Sequence, residues 1–190
     1  KKCELSYDNF LKLKNYCDQK KIIFFSTPFD IEAVNFLTDI KVKLFKKSSF
    51  DISNYELIKS ISSKKIPTII STGMASLKEI KKINNHFKLK KVDHHILHCV
   101  SKYPNIDEDS LLSNITFLKK KFNCQVGLSD HTNDIKTSIY SYFLGARIFE
   151  KHFKLSKNDT CVDSPVSITP QQMRNLYVEL KKIPKILGKS

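Results

Sequence analysis

A chain of 190 residues can bury one sizeable core and is too short for two domains of ordinary size. With 41% hydrophobic and 27% charged residues it has a globular composition, and no apolar run approaches the ~20 residues of a membrane helix. The net charge of +14 points only weakly to nucleic acid, because Arg147 and Arg174 are the sole arginines among 33 basic residues and base readers rely on the guanidinium fork. The lysines are spread along the chain, as solvated helix faces are, and leave some attraction for anionic substrates. Five cysteines form no C-x-x-C pair and are odd in number, which argues against a disulfide framework and a cysteine zinc site; reduced, mostly buried thiols are expected. Lys1-Lys2-Cys3-Glu4 is no apolar signal stretch, so a cytosolic protein is expected.

In chain order the pattern alternates. A helix over Tyr7–Gln19, with Phe10, Leu13 and Cys17 at helical spacing, precedes a first strand at Ile22–Thr27. Further strands are expected at Val42–Lys46, Pro67–Ser71, His95–Val100, Gln125–Leu128 and Ala146–Glu150. Helices are expected at about 30–39, 53–63, 76–88, 108–122, 133–144 and 170–182. Asp107 or Asp109 would cap the helix at about 108–122, and Thr169 the last, with Pro170 at its first position. Near-continuous apolar strands alternating with helices indicate an α/β fold with a parallel sheet. Polar residues gather after each strand and no G-x-G-x-x-G loop is present, which favours a TIM-type (β/α) barrel over an open doubly wound sheet. Six strands make it incomplete, about six of eight βα units.

The polar strand ends are where chemistry would lie. Ser26-Thr27 offers neutral donors to phosphate or carboxylate oxygens, or a cap for the next helix. Phe45-Lys46-Lys47-Ser48-Ser49-Phe50-Asp51 carries lysines that demand an anionic partner if turned inward; alternation does not choose between the serines. Ser71-Thr72-Gly73 is a hydroxyl-rich turn into a helix. Ser129-Asp130-His131 and Glu150-Lys151-His152 each place a histidine just past a strand. Adjacent parallel strands would bring the two imidazoles together as a divalent-metal site, with Asp130 and Glu150 as orienters. His86, His94, His95 and His98 lack that setting and read as structural.

Seven segments taken in order, FFSTPFD (24–30), FKKSSFDISNYELI (45–58), PTIISTGMA (67–75), LHCVSKYP (97–104), VGLSDHT (126–132), LGARIFEKHF (144–153) and VDSPVSITP (162–170), resemble the N-acetylneuraminate (sialic acid) synthase family of bacterial nonulosonate synthases. The resemblance implies a cytoplasmic transferase that condenses phosphoenolpyruvate with an open-chain N-acylated amino sugar and releases phosphate. His131 and His152 correspond to ligands of Mn2+ or Mg2+. Thr27, Lys46, Ser49, Ser71, Ser101 and Ser129 correspond to the phosphoenolpyruvate pocket, with Lys46 offsetting anionic charge. Asp51, Tyr103 and Asp163 correspond to contacts with the amino sugar, and Asp51 is a candidate for acid–base work. Asp51 stands where the family usually has glutamate, Ser101 where the sialic acid branch often has asparagine, and Cys161 where glycine is usual. S-F-D-I-S (49–53), C-V-S-K-Y-P (99–104) and V-D-S (162–164) lean toward the pseudaminic acid synthase branch.

The same resemblance implies that residues 1–190 are a partial barrel domain, without the family's first two strands and its carboxyl-terminal antifreeze-like domain, and that the full-length protein is a homodimer. The competing expectations are an inactive remnant that binds metal or a phosphorylated metabolite, a lysine-rich nucleic-acid binder, and another phosphoenolpyruvate-condensing barrel enzyme.

Overall fold

The computed structural model describes residues 5–188. They form two compact units, one of 5–70 with 77–94 and the other of 71–76 with 95–188. Cys3 lies outside the described residues.

In the first unit, α1 (Tyr7–Gln19) starts where the Ser6 hydroxyl accepts the Asn9 amide, and stacks Tyr7 on Phe36 at 4.1 Å between ring centroids. α2 (Ile31–Asp39) is capped by Asp30, whose carboxylate accepts the Ala33 amide at 2.6 Å. β1 (Phe45–Lys47) runs parallel to β2 (Thr68–Ser71), with Phe45, Lys46 and Lys47 opposite Thr68, Ile69 and Ile70. α3 (Tyr55–Ser63) and α4 (Leu77–Leu89) bury Leu57, Ile58 and Ile61, and Ile80, Ile83 and Phe87, at the i, i+3, i+4 and i+7 spacings that keep one face apolar. Each such side chain contributes about 1.5–3 kcal/mol by leaving water. His86 is held by the Tyr55 and Ser62 hydroxyls at 3.0 and 2.8 Å, and His94 by Asn84 at 3.0 Å, the structural roles expected of them.

The second unit holds β3 (His94–Cys99, save its first residue), β4 (Val126–Asp130), β5 (Ile148–Phe153) and β6 (Ser167–Ile168), each parallel to the next. α5 (Ser113–Phe122) and α6 (Lys136–Phe143) alternate with these strands, and α7 (Pro170–Ile186) follows β6. Gly127 lets β5 approach β4: a Cβ there would lie 2.2 Å from the Ile148 carbonyl oxygen. His98 donates from Nε2 to the Ser110 carbonyl at 2.8 Å.

Four expectations change. The first strand reduces to a single bridge, Ser26 to Phe45; the Ile22 amide is used on the Cys17 carbonyl closing α1, and Ile22 and Ile23 are each 61% exposed. Asp107 and Asp109 do not cap α5. They lie in a 3-10 turn, Asp107–Ser110, which left-handed Leu111 (φ 45°) separates from a helix beginning at Ser113. β6 is a strand the apolar pattern missed, since two residues are too few to show a period. None of the four described cysteines is in a disulfide, as expected, but only Cys99 is buried; Cys17 and Cys124 are half-buried and Cys161 is exposed. Thr169 and Pro170 open α7 as expected, and Gln172 completes a capping box.

Candidate active site

The first unit carries the charged group at the end of β1. Lys46 is buried, and its ammonium donates to the Lys47 carbonyl at 3.3 Å. Lys47 is 1% exposed, and its ammonium meets the Asp51 carboxylate at 2.5 Å. Burial pushes the Lys47 ammonium below the usual lysine value, against the opposing pull of Asp51. Ser49 is buried and Thr27 half-buried in the same unit. Lys47 was the lysine that sequence did not single out. Its signal was the i, i+4 spacing to an acid, which a tight turn after the strand makes a contact.

In the second unit, Ser71 is buried at the start of the Ser71-Thr72-Gly73 turn, and the Thr72 amide and hydroxyl both donate to the Leu97 carbonyl, at 3.2 and 2.9 Å. The Ser101 hydroxyl packs on Gly73, where a Cβ would meet it at 2.6 Å. The turn and the serine after β3 are thus in contact only because residue 73 has no side chain.

Strands β4 and β5 bring the histidines together. Ser129 is opposite Glu150 in register, and its hydroxyl donates to the Glu150 carboxylate at 2.6 Å. Asp130 is opposite Lys151. Past that rung the His131 and His152 rings lie 5.4 Å apart between centroids. His131 Nδ1 is 2.8 Å from the Val100 carbonyl oxygen. A carbonyl only accepts, so Nδ1 carries the hydrogen and the neutral ring presents its Nε2 lone pair outward. The Tyr103 hydroxyl donates to that Nε2 at 2.8 Å, with the two rings 4.0 Å apart. His152 Nδ1 faces the Asp163 carboxylate at 3.4 Å.

Electrostatics separates the two imidazoles. Burial alone would lower His131, but Cys99, the Val100 carbonyl and Glu150 outweigh it, and its pKa is raised. His152 is lowered, by burial first, with Asp163 opposing and His131 adding to the fall. Tyr103 is pushed up to about 12, by burial first and then by Cys99, Asp163 and Glu150, so its hydroxyl keeps its proton at neutral pH.

One of the two expected orienters is engaged elsewhere. Asp130 does not touch the His131 ring; its oxygens take the Thr132, Thr137 and Ser138 hydroxyls on the other face of the strand. Val100, Tyr103 and Asp163 contact the rings directly, and the Glu150 carboxylate acts on both electrostatically. Among the described residues no group of three or more His, Cys, Asp or Glu side chains is gathered to hold a metal ion. Two imidazoles with one fixed tautomer nonetheless suit a divalent cation, which would take the His131 Nε2 lone pair in place of the Tyr103 hydroxyl and complete its shell with water or substrate oxygens. Among the described residues no helix is long and apolar enough to cross a membrane.

The chain is similar to known proteins along nearly its whole length. The chain is 38% identical over 168 residues to a pseudaminic acid synthase of Campylobacter jejuni, covering 88% of this chain and 49% of that protein. It is 36% identical over 190 residues to an N,N'-diacetyllegionaminic acid synthase of the same species, covering 98% of this chain and 57% of that one. The chain therefore spans about half the length of the curated relatives it matches. The crystal structure of an N-acetylneuraminic acid synthetase from Leptospira borgpetersenii superposes with a TM-score of 0.94 at 37% identity, over 97% of this chain and 65% of that one. The fold class is α/β of the (β/α)-barrel type, as the alternation of elements implied. The NeuB family profile matches residues 1–190, and the chain belongs to the NeuB family.

Proposed function

We propose that the protein carrying this chain is a nonulosonate synthase, a transferase that condenses phosphoenolpyruvate with an open-chain N-acylated amino sugar. The observation that carries the reading is the His131–His152 pair at neighbouring strand ends, 5.4 Å between rings, with the Ser129–Glu150 hydrogen bond one inward rung before it. His131 and His152 would hold Mn2+ or Mg2+, whose chemistry there is Lewis-acid polarisation of the sugar aldehyde. The enol carbon of phosphoenolpyruvate bonds to the aldehyde carbon, whose oxygen takes a proton. Water adds at the pyruvyl carbon, and the bond from that carbon to the bridging oxygen breaks, releasing inorganic phosphate.

The family resemblance assigns Lys46, Thr27, Ser49, Ser71, Ser101 and Ser129 to the anionic substrate, where ammonium and hydroxyl donors offset charge. It assigns Asp51, Tyr103 and Asp163 to the amino sugar. Asp51 is the acid–base candidate, its carboxylate oriented by Lys47. Tyr103 and Asp163 touch the two imidazoles in this structure, so a sugar bound there would lie against the metal ligands. Relatives of both pseudaminic and legionaminic type are similar to the chain; the S-F-D-I-S and V-D-S segments favour a pseudaminic-type product. We place the enzyme in the cytoplasm, as a homodimer.

The test is manganese-dependent phosphate release from phosphoenolpyruvate by the full-length protein, with bis-acetamido sugars and N-acetylmannosamine as acceptors and the product weighed by mass spectrometry. Wild type should release phosphate and give a nonulosonate, and His131→Ala and His152→Ala should not. Absence of release with every acceptor sinks the enzyme reading in favour of a metal- or metabolite-binding remnant. Full activity in both histidine variants sinks the site.

A further inference from the structure

Between the inward rung of Ser129 and Glu150 and the inward pair of imidazoles lies a rung that faces the other way. Asp130 and Lys151 are register partners, and their side chains are 2% and 1% exposed. Successive strand residues point to opposite faces, so this rung lies behind the histidines, against α6. Every lone pair of the Asp130 carboxylate is used. Oδ1 accepts the Thr132 amide at 2.9 Å and the Thr132 hydroxyl at 2.8 Å. Oδ2 accepts the Thr137 and Ser138 hydroxyls of α6 at 2.7 and 2.6 Å and lies 3.3 Å from the Lys151 ammonium. The same ammonium donates to the Thr132 carbonyl at 2.6 Å. Both peptide groups of Thr132 are therefore held, the one before it by Asp130 and the one after it by Lys151. His131 sits between Asp130 and its anchored neighbour.

Stability does not explain such a group. A buried ion pair replaced by apolar residues of similar volume is often neutral or better for stability, because two desolvation costs vanish with it. An apolar pair would supply neither the two directed bonds that hold the Thr132 amide and carbonyl on the far side of His131 nor the link from β5, which carries His152, to the loop that carries His131.

We propose that Asp130 and Lys151 are positioning residues for the His131–His152 pair, a clamp behind the strands that fixes where the two imidazoles stand. This rests on the reading of those imidazoles as a cation site. Groups behind metal ligands typically alter metal affinity by about 10–100-fold when removed, and the clamp is expected in that range.

The experiment is Mn2+ binding to the full-length protein, followed by the EPR signal of the free ion, in wild type and in Asp130→Asn/Lys151→Met. That double variant leaves no unpaired buried charge. Its affinity should fall about 10–100-fold with an unchanged circular dichroism spectrum, and the amides of His131 and Thr132 should exchange faster with solvent. Should it not fold, Thr137→Val/Ser138→Ala removes two of the Asp130 hydrogen bonds without touching either charge, and should weaken Mn2+ binding several-fold. A folded variant of either kind that binds Mn2+ as wild type does overturns the clamp. A wild-type protein that binds no Mn2+, or binds it equally after His131→Ala, refutes the cation site instead; unchanged amide exchange at His131 and Thr132 in the double variant then overturns the clamp separately.

Discussion

Replacing Asp51 by Asn removes the counter-charge of a lysine that has almost no access to water. The Lys47 and Asp51 side chains are 2% and 19% exposed, with 2.5 Å between ammonium and carboxylate. At an effective dielectric of ~20 that separation corresponds to about 7 kcal/mol of attraction. Desolvating the two ions costs several kcal/mol each, so the intact pair is close to neutral for stability. Without Asp51 only the cost of the ammonium remains, and the folded state should lose about 3–5 kcal/mol at neutral pH. The pH dependence has a definite sign. Burial already depresses Lys47 below its usual value of 10.5, so between its folded and unfolded pKa the unfolded chain binds a proton that the folded chain lacks. Stability therefore rises with pH across that window, and losing Asp51 widens the window toward neutrality. The assay is urea unfolding of wild type, Asp51→Asn and Lys47→Met/Asp51→Asn at about pH 7 and about pH 9.5. Asp51→Asn should recover part of its deficit at the higher pH, and the double variant should show little deficit at either. A loss below about 1 kcal/mol with no pH dependence would refute a buried, charge-dependent Lys47.

Two further substitutions probe the scaffold. Gly127→Ala would set a Cβ 2.2 Å from a backbone oxygen and 2.6 Å from Leu97 Cδ2. β4 and β5 must separate, at a cost of about 1–3 kcal/mol or more, read as a lowered thermal midpoint; an unchanged midpoint would sink the β4–β5 register. Thr169→Ala removes the oxygen that accepts the Gln172 amide and should cost about 1 kcal/mol in denaturant, whereas Thr169→Asn should cost less than half of that.

The helices were legible because two local signals coincide in them. α1 has Ser6 at its cap and apolar residues at helical spacing, and its observed limits equal the expected ones. α7 announces itself through Thr169 and Pro170. Helix ends were harder to read, since the usual glycine is missing. Lys21, Lys41, Lys65 and Lys91 take the left-handed conformation just past α1, α2, α3 and α4, with φ of 56°, 60°, 60° and 52°. Composition also does not reveal whether a strand finds partners, and Ile22–Phe25 has strand-like residues with only Ser26 bridged beyond it. In the candidate site, His131 and His152 were legible because each follows a strand-forming run. Lys47 and Lys151 were not, because a lysine beside polar neighbours reads as solvated surface until the fold buries it.

The middle residues of S-D-H and E-K-H carry more information than their neighbours suggest. In the observed register the first residues meet as a hydrogen bond, the second as an ion pair and the third as an imidazole pair. A slip of one residue in either direction turns every side chain of one strand to the opposite face. Asp130 would then stand beside Glu150 or His152, and Lys151 beside Ser129 or His131. One slip buries two carboxylates together, and both leave the ammonium without its counter-charge, at a cost of several kcal/mol. The alternation of sign and face along six residues thus selects one pairing of β4 with β5, and it is the pairing that sets His131 beside His152. The imidazole geometry is specified by charges that never face it.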